Sequence, residues 1–187
     1  MNEKKLSTNK TKLFVRDCIY TAVNELMKKQ NFKEITITQI IDRAGISRMG
    51  FYRNFTSKEN VVEEFIFEKF VETIEEIEKT RKLNFDVYDI MVTTLKTFQK
   101  YAPYVQIFLQ QGLEYLMYDC YKKGFFALYN RENTSKFRDY YNQLFIGQLF
   151  NLEMTWLKNG MKESPEQLAK IYYKILKLQA NKSNNLQ

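Results

Sequence analysis

Apolar residues in this chain recur at intervals of three and four almost from end to end, and that periodicity constrains the fold more than any other feature. A repeat of 3.6 residues sends every third or fourth side chain to one face of a helix. A half-buried strand needs strict alternation, which is scarce here. Only two prolines and six glycines interrupt the pattern over 187 residues, and hydrophobic residues make up 44%, enough for a core. The expectation is an all-α protein of about nine helices, in one ordinary domain or two small ones.

The punctuation divides the chain. Residues 1–9 are polar and fall outside the first expected helix, about 10–29, whose apolar stripe reads Leu13, Phe14, Cys18, Ala22 and Leu26. The segment 30–34 breaks it. Thr36 and Gln39 then form a capping-box pair opening a second helix, with Ile37, Ile40, Ile41 and Ala44 inward. Gly45 supplies the positive φ of a tight turn, and Ser47 caps a short third helix over about 47–54. A second box, Thr56 with Glu59, opens a long helix at about 57–80. Its apolar face is Val61, Val62, Phe65, Ile66, Phe70, Ile74 and Ile77, and its outer face is acidic. After a break at 81–84, helices are expected at about 85–101, 103–110, 112–130, 136–160 and 164–181. Pro103 suits a first-turn position, and Ser164-Pro165-Glu166-Gln167 combines a cap, a first-turn proline and a capping glutamine.

Charge and aromatics are distributed in opposite directions. The net charge of +7 is almost all in residues 1–60, which carry +6, whereas residues 61–187 carry +1. Of 29 aromatic residues, 23 lie after residue 60. A basic head attracts a polyanion, and an aromatic body builds a core or a pocket. Cys18 and Cys120 stand far apart with no CxxC pair, which fits a reducing cytosol and gives no disulfide framework or zinc ribbon. No stretch reaches the roughly 20 apolar residues that span a bilayer, and the polar start lacks a signal-peptide core. A cytoplasmic protein without membrane contact is expected. With no histidine, no GxSxG, no metal-ligand spacing and no glycine-rich phosphate loop, the sequence offers no catalytic residues, metal site or cofactor site; an enzyme is not expected.

Two short helices joined by a glycine turn make a helix-turn-helix, whose second helix must offer polar side chains to a major groove. Here Ile46 and Phe51 secure the third helix, leaving Ser47, Arg48, Met49, Gly50, Tyr52, Arg53 and Asn54 outward. Thr36 through Ser47, then Phe51-Tyr52-Arg53-Asn54-Phe55 and Ser57-Lys58-Glu59, resemble the tetracycline-repressor (TetR) family of regulators. There the run is a threonine-led helix, an Ala-Gly-Val-Ser turn, a Leu-Tyr-x-His-Phe recognition helix, then Ser-Lys-Glu. Met49 departs from a common glycine and Asn54 from a common histidine.

The resemblance implies a three-helix DNA-binding domain at 10–56, a linking helix at 57–80, and a ligand-binding and dimerisation domain at 81–182. It implies that Thr36 and Thr38 meet phosphate or nearby bases, and that Ser47, Arg48, Met49 and Gly50 face the groove. Tyr52 would give its hydroxyl to a phosphate, and Lys58 would neutralise one. Arg53 joins them on charge and position. Arg48 is the best candidate for reading a base, because arginine grips guanine bidentately. The partner is a double-stranded DNA operator, and the alternative is a TetR-like coactivator that acts without direct DNA contact.

In the body, an aromatic stripe at helical spacing serves either a core or a pocket. The resemblance favours a pocket for a small, apolar or aromatic effector, with Tyr88, Phe98, Tyr101, Phe108, Tyr115 and Tyr118 as candidate lining. Gln106, Gln110 or Gln111 would be polar fixers. The last two helices carry Leu144, Phe145, Leu149, Leu152 and Trp156, then Leu168, Ile171, Tyr172 and Ile175. They pack either on their own domain or, as the resemblance implies, in a homodimer interface.

Overall fold

The computed structural model describes residues 3–81, 87–129 and 136–183. Among them lie eight helices: α1 Glu3–Met27, α2 Ile37–Ala44, α3 Arg48–Tyr52, α4 Lys58–Arg81, α5 Val87–Gln110, α6 Glu114–Tyr129, α7 Lys136–Lys158 and α8 Pro165–Ser183. A 3-10 turn at Phe32–Glu34 fills the break after α1. No strand occurs among the described residues, so the all-α expectation holds. The break expected at 81–84 lies outside the described residues from position 82 on.

Local chemistry sets most helix ends. The Thr36 hydroxyl accepts from the Gln39 N–H at 3.2 Å while the Gln39 side chain accepts from the Thr36 N–H at 2.8 Å. This is the reciprocal box expected of that pair. Gly45 closes α2 at φ 65°, where a side chain would be strained. Ser164 and Gln167 form a second box ahead of α8, at 2.8 and 3.2 Å. At α4 the cap shifts by one residue from the expected Thr56–Glu59. Ser57 Oγ accepts from the Asn60 N–H at 3.0 Å, and Asn60 Oδ1 accepts from the Thr56 N–H at 3.1 Å.

Three expectations need correcting. First, α1 begins at Glu3, so the polar start is helical from that point. Second, of the expected stripe Leu13 and Phe14 are 55% and 68% exposed, Cys18 and Leu26 are half-buried and Ala22 alone is buried; the buried face of α1 is Arg16, Ile19, Tyr20, Ala22, Val23 and Met27. Both faces satisfy a three-four spacing, and the packing partners decide between them. Third, Pro103 does not start a helix but lies inside α5. An interior proline forfeits one backbone hydrogen bond and crowds the preceding turn, about 3 kcal/mol or more. Burial of Phe98 and Ala102 before it, and of Val105 and Phe108 after it, anchors the helix on both sides.

Packing divides the chain into two compact units, Met1–Glu68 with Tyr104–Cys120, and Lys69–Pro103 with Tyr121–Gln187. In the first, Tyr20 meets Phe55 and Phe65 at ring distances of 5.5 and 5.2 Å, and Phe65 meets Phe108 at 5.9 Å. Arg16 is buried there, bonded to Glu64, Glu68 and the Tyr20 hydroxyl, with its guanidinium 4.6 Å from the Phe55 ring centre. In the second, Trp156 lies against Phe98 and donates its indole N–H to the Glu163 carbonyl at 3.1 Å. No helix among the described residues is long and apolar enough to cross a membrane.

Candidate nucleic-acid interface

The helix-turn-helix is held from within by apolar anchors. Ile40 and Phe51 are wholly buried and Phe55 nearly so. Anchoring positions 51 and 55 on the inner side leaves positions 52 and 53 outside, whereas Asn54 turns inward. Arg48, Met49, Tyr52 and Arg53 are all exposed, with Met49 at 63% and Tyr52 at 49%. Neither Arg48 nor Arg53 has an ion-pair partner among the described residues. Arg43, by contrast, pairs with Glu25.

The helix start is pre-shaped. Ser47 Oγ accepts from the Gly50 N–H at 3.0 Å, and a Cβ on Gly50 would come within 3.3 Å of that oxygen. Asn54 turns inward and donates to the Gly50 carbonyl at 2.8 Å, while its own Oδ1 is buried without a partner among the described residues. Asn54 therefore fastens the end of α3 to its middle. Thr38 is exposed in the first turn of α2. The Thr36 hydroxyl is engaged in its cap, donating to Gln39 Oε1 at 3.1 Å.

Lys58 has another occupation than the phosphate contact expected of it. Its Nζ donates to the carbonyls of Phe32, Lys33 and Ile35 at 2.7, 2.9 and 2.8 Å, and sits 4.9 Å from the Phe32 ring centre. An ammonium has three hydrogens, and three carbonyls take them all. The side chain thus caps the 3-10 turn and ties the connection between α1 and α2 to the start of α4. Gln111, in the turn after α5, grips the same connection. Its Oε1 accepts from the Phe32 N–H at 2.7 Å, and its Nε2 donates to the carbonyls of Met27 at 2.7 Å and Gln30 at 3.4 Å. Gln111 is therefore not a polar group awaiting a ligand. Nothing local to Lys58 or Gln111 signals these roles, because their partners stand 23–26 and 79–84 residues away.

The chain carries two family signatures. Residues 19–65 match the model of bacterial regulatory proteins of the tetR family, and residues 86–178 match that of a transcriptional regulator C-terminal region. The chain belongs to the TetR family. Solved structures share its fold. The Lin0861 protein of Listeria innocua is 16% identical with a TM-score of 0.74, covering 89% of this chain and 91% of that one. A TetR transcriptional regulator of Streptococcus agalactiae is 18% identical with a TM-score of 0.60, over 91% and 98%. The fatty acid degradation regulator FadR of Bacillus halodurans is 17% identical with a TM-score of 0.53, over 87% and 94%. A search of curated proteins finds no significant match.

The six candidate effector residues of this TetR-family chain are not brought into one cluster within either unit. Tyr88, Phe98 and Tyr101 belong to the second unit, and Phe108, Tyr115 and Tyr118 to the first. Phe98 packs on Trp156, the Tyr101 hydroxyl donates to Glu72, and the Tyr88 hydroxyl donates to the Glu166 carbonyl at 3.4 Å. Phe108 is buried and Tyr115 exposed. A crevice in the first unit, lined by residues including Tyr20, Asn24, Val61 and Phe108, has room for little more than one water.

The candidate dimer residues separate into two groups. Trp156, Leu168 and Tyr172 are buried in their own unit, with the Tyr172 hydroxyl donating to Gln148, so they have little surface to offer a partner. Leu144 is 66% exposed, and Ile171 and Ile175 are also exposed. Phe145, Leu149 and Leu152 are half-buried.

Proposed function

We propose that this TetR-family chain is a non-enzymatic transcription regulator. It binds a double-stranded operator through α3 and lowers or raises that affinity when a small molecule binds its C-terminal region. Residues 10–56 serve as the DNA-binding domain, 57–80 as the link, and 81–182 as the effector and dimerisation domain. The observation that carries the reading is the outer face of α3 on the basic segment, where Arg48, Met49, Tyr52 and Arg53 stand exposed and neither arginine has an ion-pair partner among the described residues. Thr38, Ser47 and Gly50 complete the groove-facing surface, with Thr36 holding the α2 start beside the phosphates. Leu144, Ile171 and Ile175 form the homodimer seam. A two-fold dimer presents its recognition helices about 34 Å apart, one turn of DNA, or more on a longer operator.

The experiment is a gel shift with DNA flanking the gene at two salt concentrations. A phosphate-contacting dimer loses affinity steeply with salt. Tyr52→Phe weakens all sequences alike, whereas Arg48→Ala reduces discrimination between them. If no flanking fragment binds at either salt, the coactivator alternative replaces this reading.

A further inference from the structure

Within the second unit, Glu153 lies in α7 at 1% exposure. Its Oε2 accepts from the Tyr121 hydroxyl at 2.7 Å, and no lysine or arginine among the described residues pairs with it. The neighbourhood is aromatic. Tyr121 meets Phe150 edge-on at 5.8 Å and Phe70 at 6.2 Å. Gly124, one turn along α6, allows the Phe70 ring to lie against the helix backbone, where any Cβ would collide with it.

A carboxyl group in such a place is expensive to ionise. Burial raises its pKa to about 8, with the Tyr121 bond pulling the other way. A sealed core would accept a glutamine or leucine here more readily. Asn142, about three helical turns or about 16 Å before Glu153 on the same face, is also buried, and its Nδ2 has no partner among the described residues.

We propose that this interior is a binding site for an apolar organic cation, with its ammonium group paired to the Glu153 carboxylate beside the rings of Tyr121, Phe70 and Phe150. The proposal rests on the effector-controlled reading above and gives that effector a charge. An ammonium supplies the missing countercharge, and aromatic ring faces attract cations. The low-polarity surroundings strengthen both attractions relative to water. A neutral molecule or an anion would leave the carboxyl protonated and gain no ion pair from it. Because the Glu153 carboxyl holds its proton at pH 7, cation binding must expel it.

The test is calorimetry of the purified full chain with benzyltrimethylammonium, and with neopentylbenzene as its neutral isostere. The expected result is saturable binding of the cation and at least tenfold weaker binding of the isostere. Close to one proton should be released at pH 7, read from two buffers of different ionisation enthalpy. Glu153→Gln should weaken cation binding at least tenfold; proton release by the wild-type chain needs no variant and stands if that variant fails to fold. No cation binding, equal binding of the isostere, or binding without proton release overturns the proposal. A gel shift with the same cation tests the parent reading separately. Glu153-dependent binding that leaves operator affinity unchanged keeps the site and removes its regulatory role.

Discussion

Lys58 provides the sharpest test of whether a side chain near DNA holds the nucleic acid or the protein. Lys58→Met keeps the apolar stem beside Phe32 and removes only the ammonium. Three charge-assisted hydrogen bonds are lost, two of them part-buried and one exposed. A hydrogen bond to a charged group contributes about 1.5–3 kcal/mol, and water restores much of the exposed one. Lys58 is only half-buried, so solvent discounts the other two as well, and the variant should be less stable by about 2–4 kcal/mol. At this chain length each kcal/mol moves Tm by roughly 2–4 °C, so a fall of about 5–15 °C in thermal melting is expected. Lys58→Arg should fall between, because a planar guanidinium does not point three hydrogens at one convergent set of carbonyls. Well below Tm, the slope of log affinity against log salt should be unchanged. A phosphate contact would make the opposite pattern: an unchanged Tm and a slope smaller in magnitude by about 0.9. That outcome would refute the clasp.

Gln111→Ala removes the one side-chain acceptor bonded to the Phe32 N–H, so hydrogen exchange at that amide should accelerate while exchange in α7 does not; equal rates in both proteins would contradict the contact. Leu144→Glu with Ile175→Glu should yield a helical monomer by light scattering. Trp156→Ala should instead cost about 3–5 kcal/mol of stability, and the reverse pattern would exchange core and seam. Glu153 holds its proton up to about pH 8 when folded and loses it near 4.5 when unfolded. Its stabilising share is thus complete below about 4.5 and is lost as pH rises towards 8. Denaturant titrations of Glu153→Gln should show a flatter decline over that window, and a decline as steep as the wild type's would assign the pH dependence elsewhere.

What was legible in the sequence is what is decided within a few residues. The boxes at Thr36–Gln39 and Ser164–Gln167 and the left-handed Gly45 depend on partners at most four positions away. The buried face of α4 was legible too in Val61, Val62, Phe65, Ile66 and Ile77, although Phe67 and Val71, apolar at a four-residue spacing, stay exposed. On α1 two stripes compete, and only the packing of Tyr20 on Phe55 and Phe65 chooses. Pro103 obeys the local rule for a helix start, and burial on both sides of it overrides that rule. Periodicity marked Trp156 and Leu144 alike as apolar, but it carries no information on whether the covering surface belongs to the same chain. In the candidate interface, the outward side chains of α3 follow from the inward anchors Phe51 and Phe55. The occupations of Lys58 and Gln111 depend on backbone carbonyls, which have no sequence signature.

The grip of Gln111 on the connection after α1 bears on how this protein can be taken apart and recombined. A hybrid regulator made by joining this head to a foreign body at residue 56 or 80 would leave position 111 to the foreign chain. The Phe32 N–H and the Met27 carbonyl would then face whatever residue that chain carries there. Grafting this head elsewhere should therefore depend on one amide side chain that a cut at either point leaves behind.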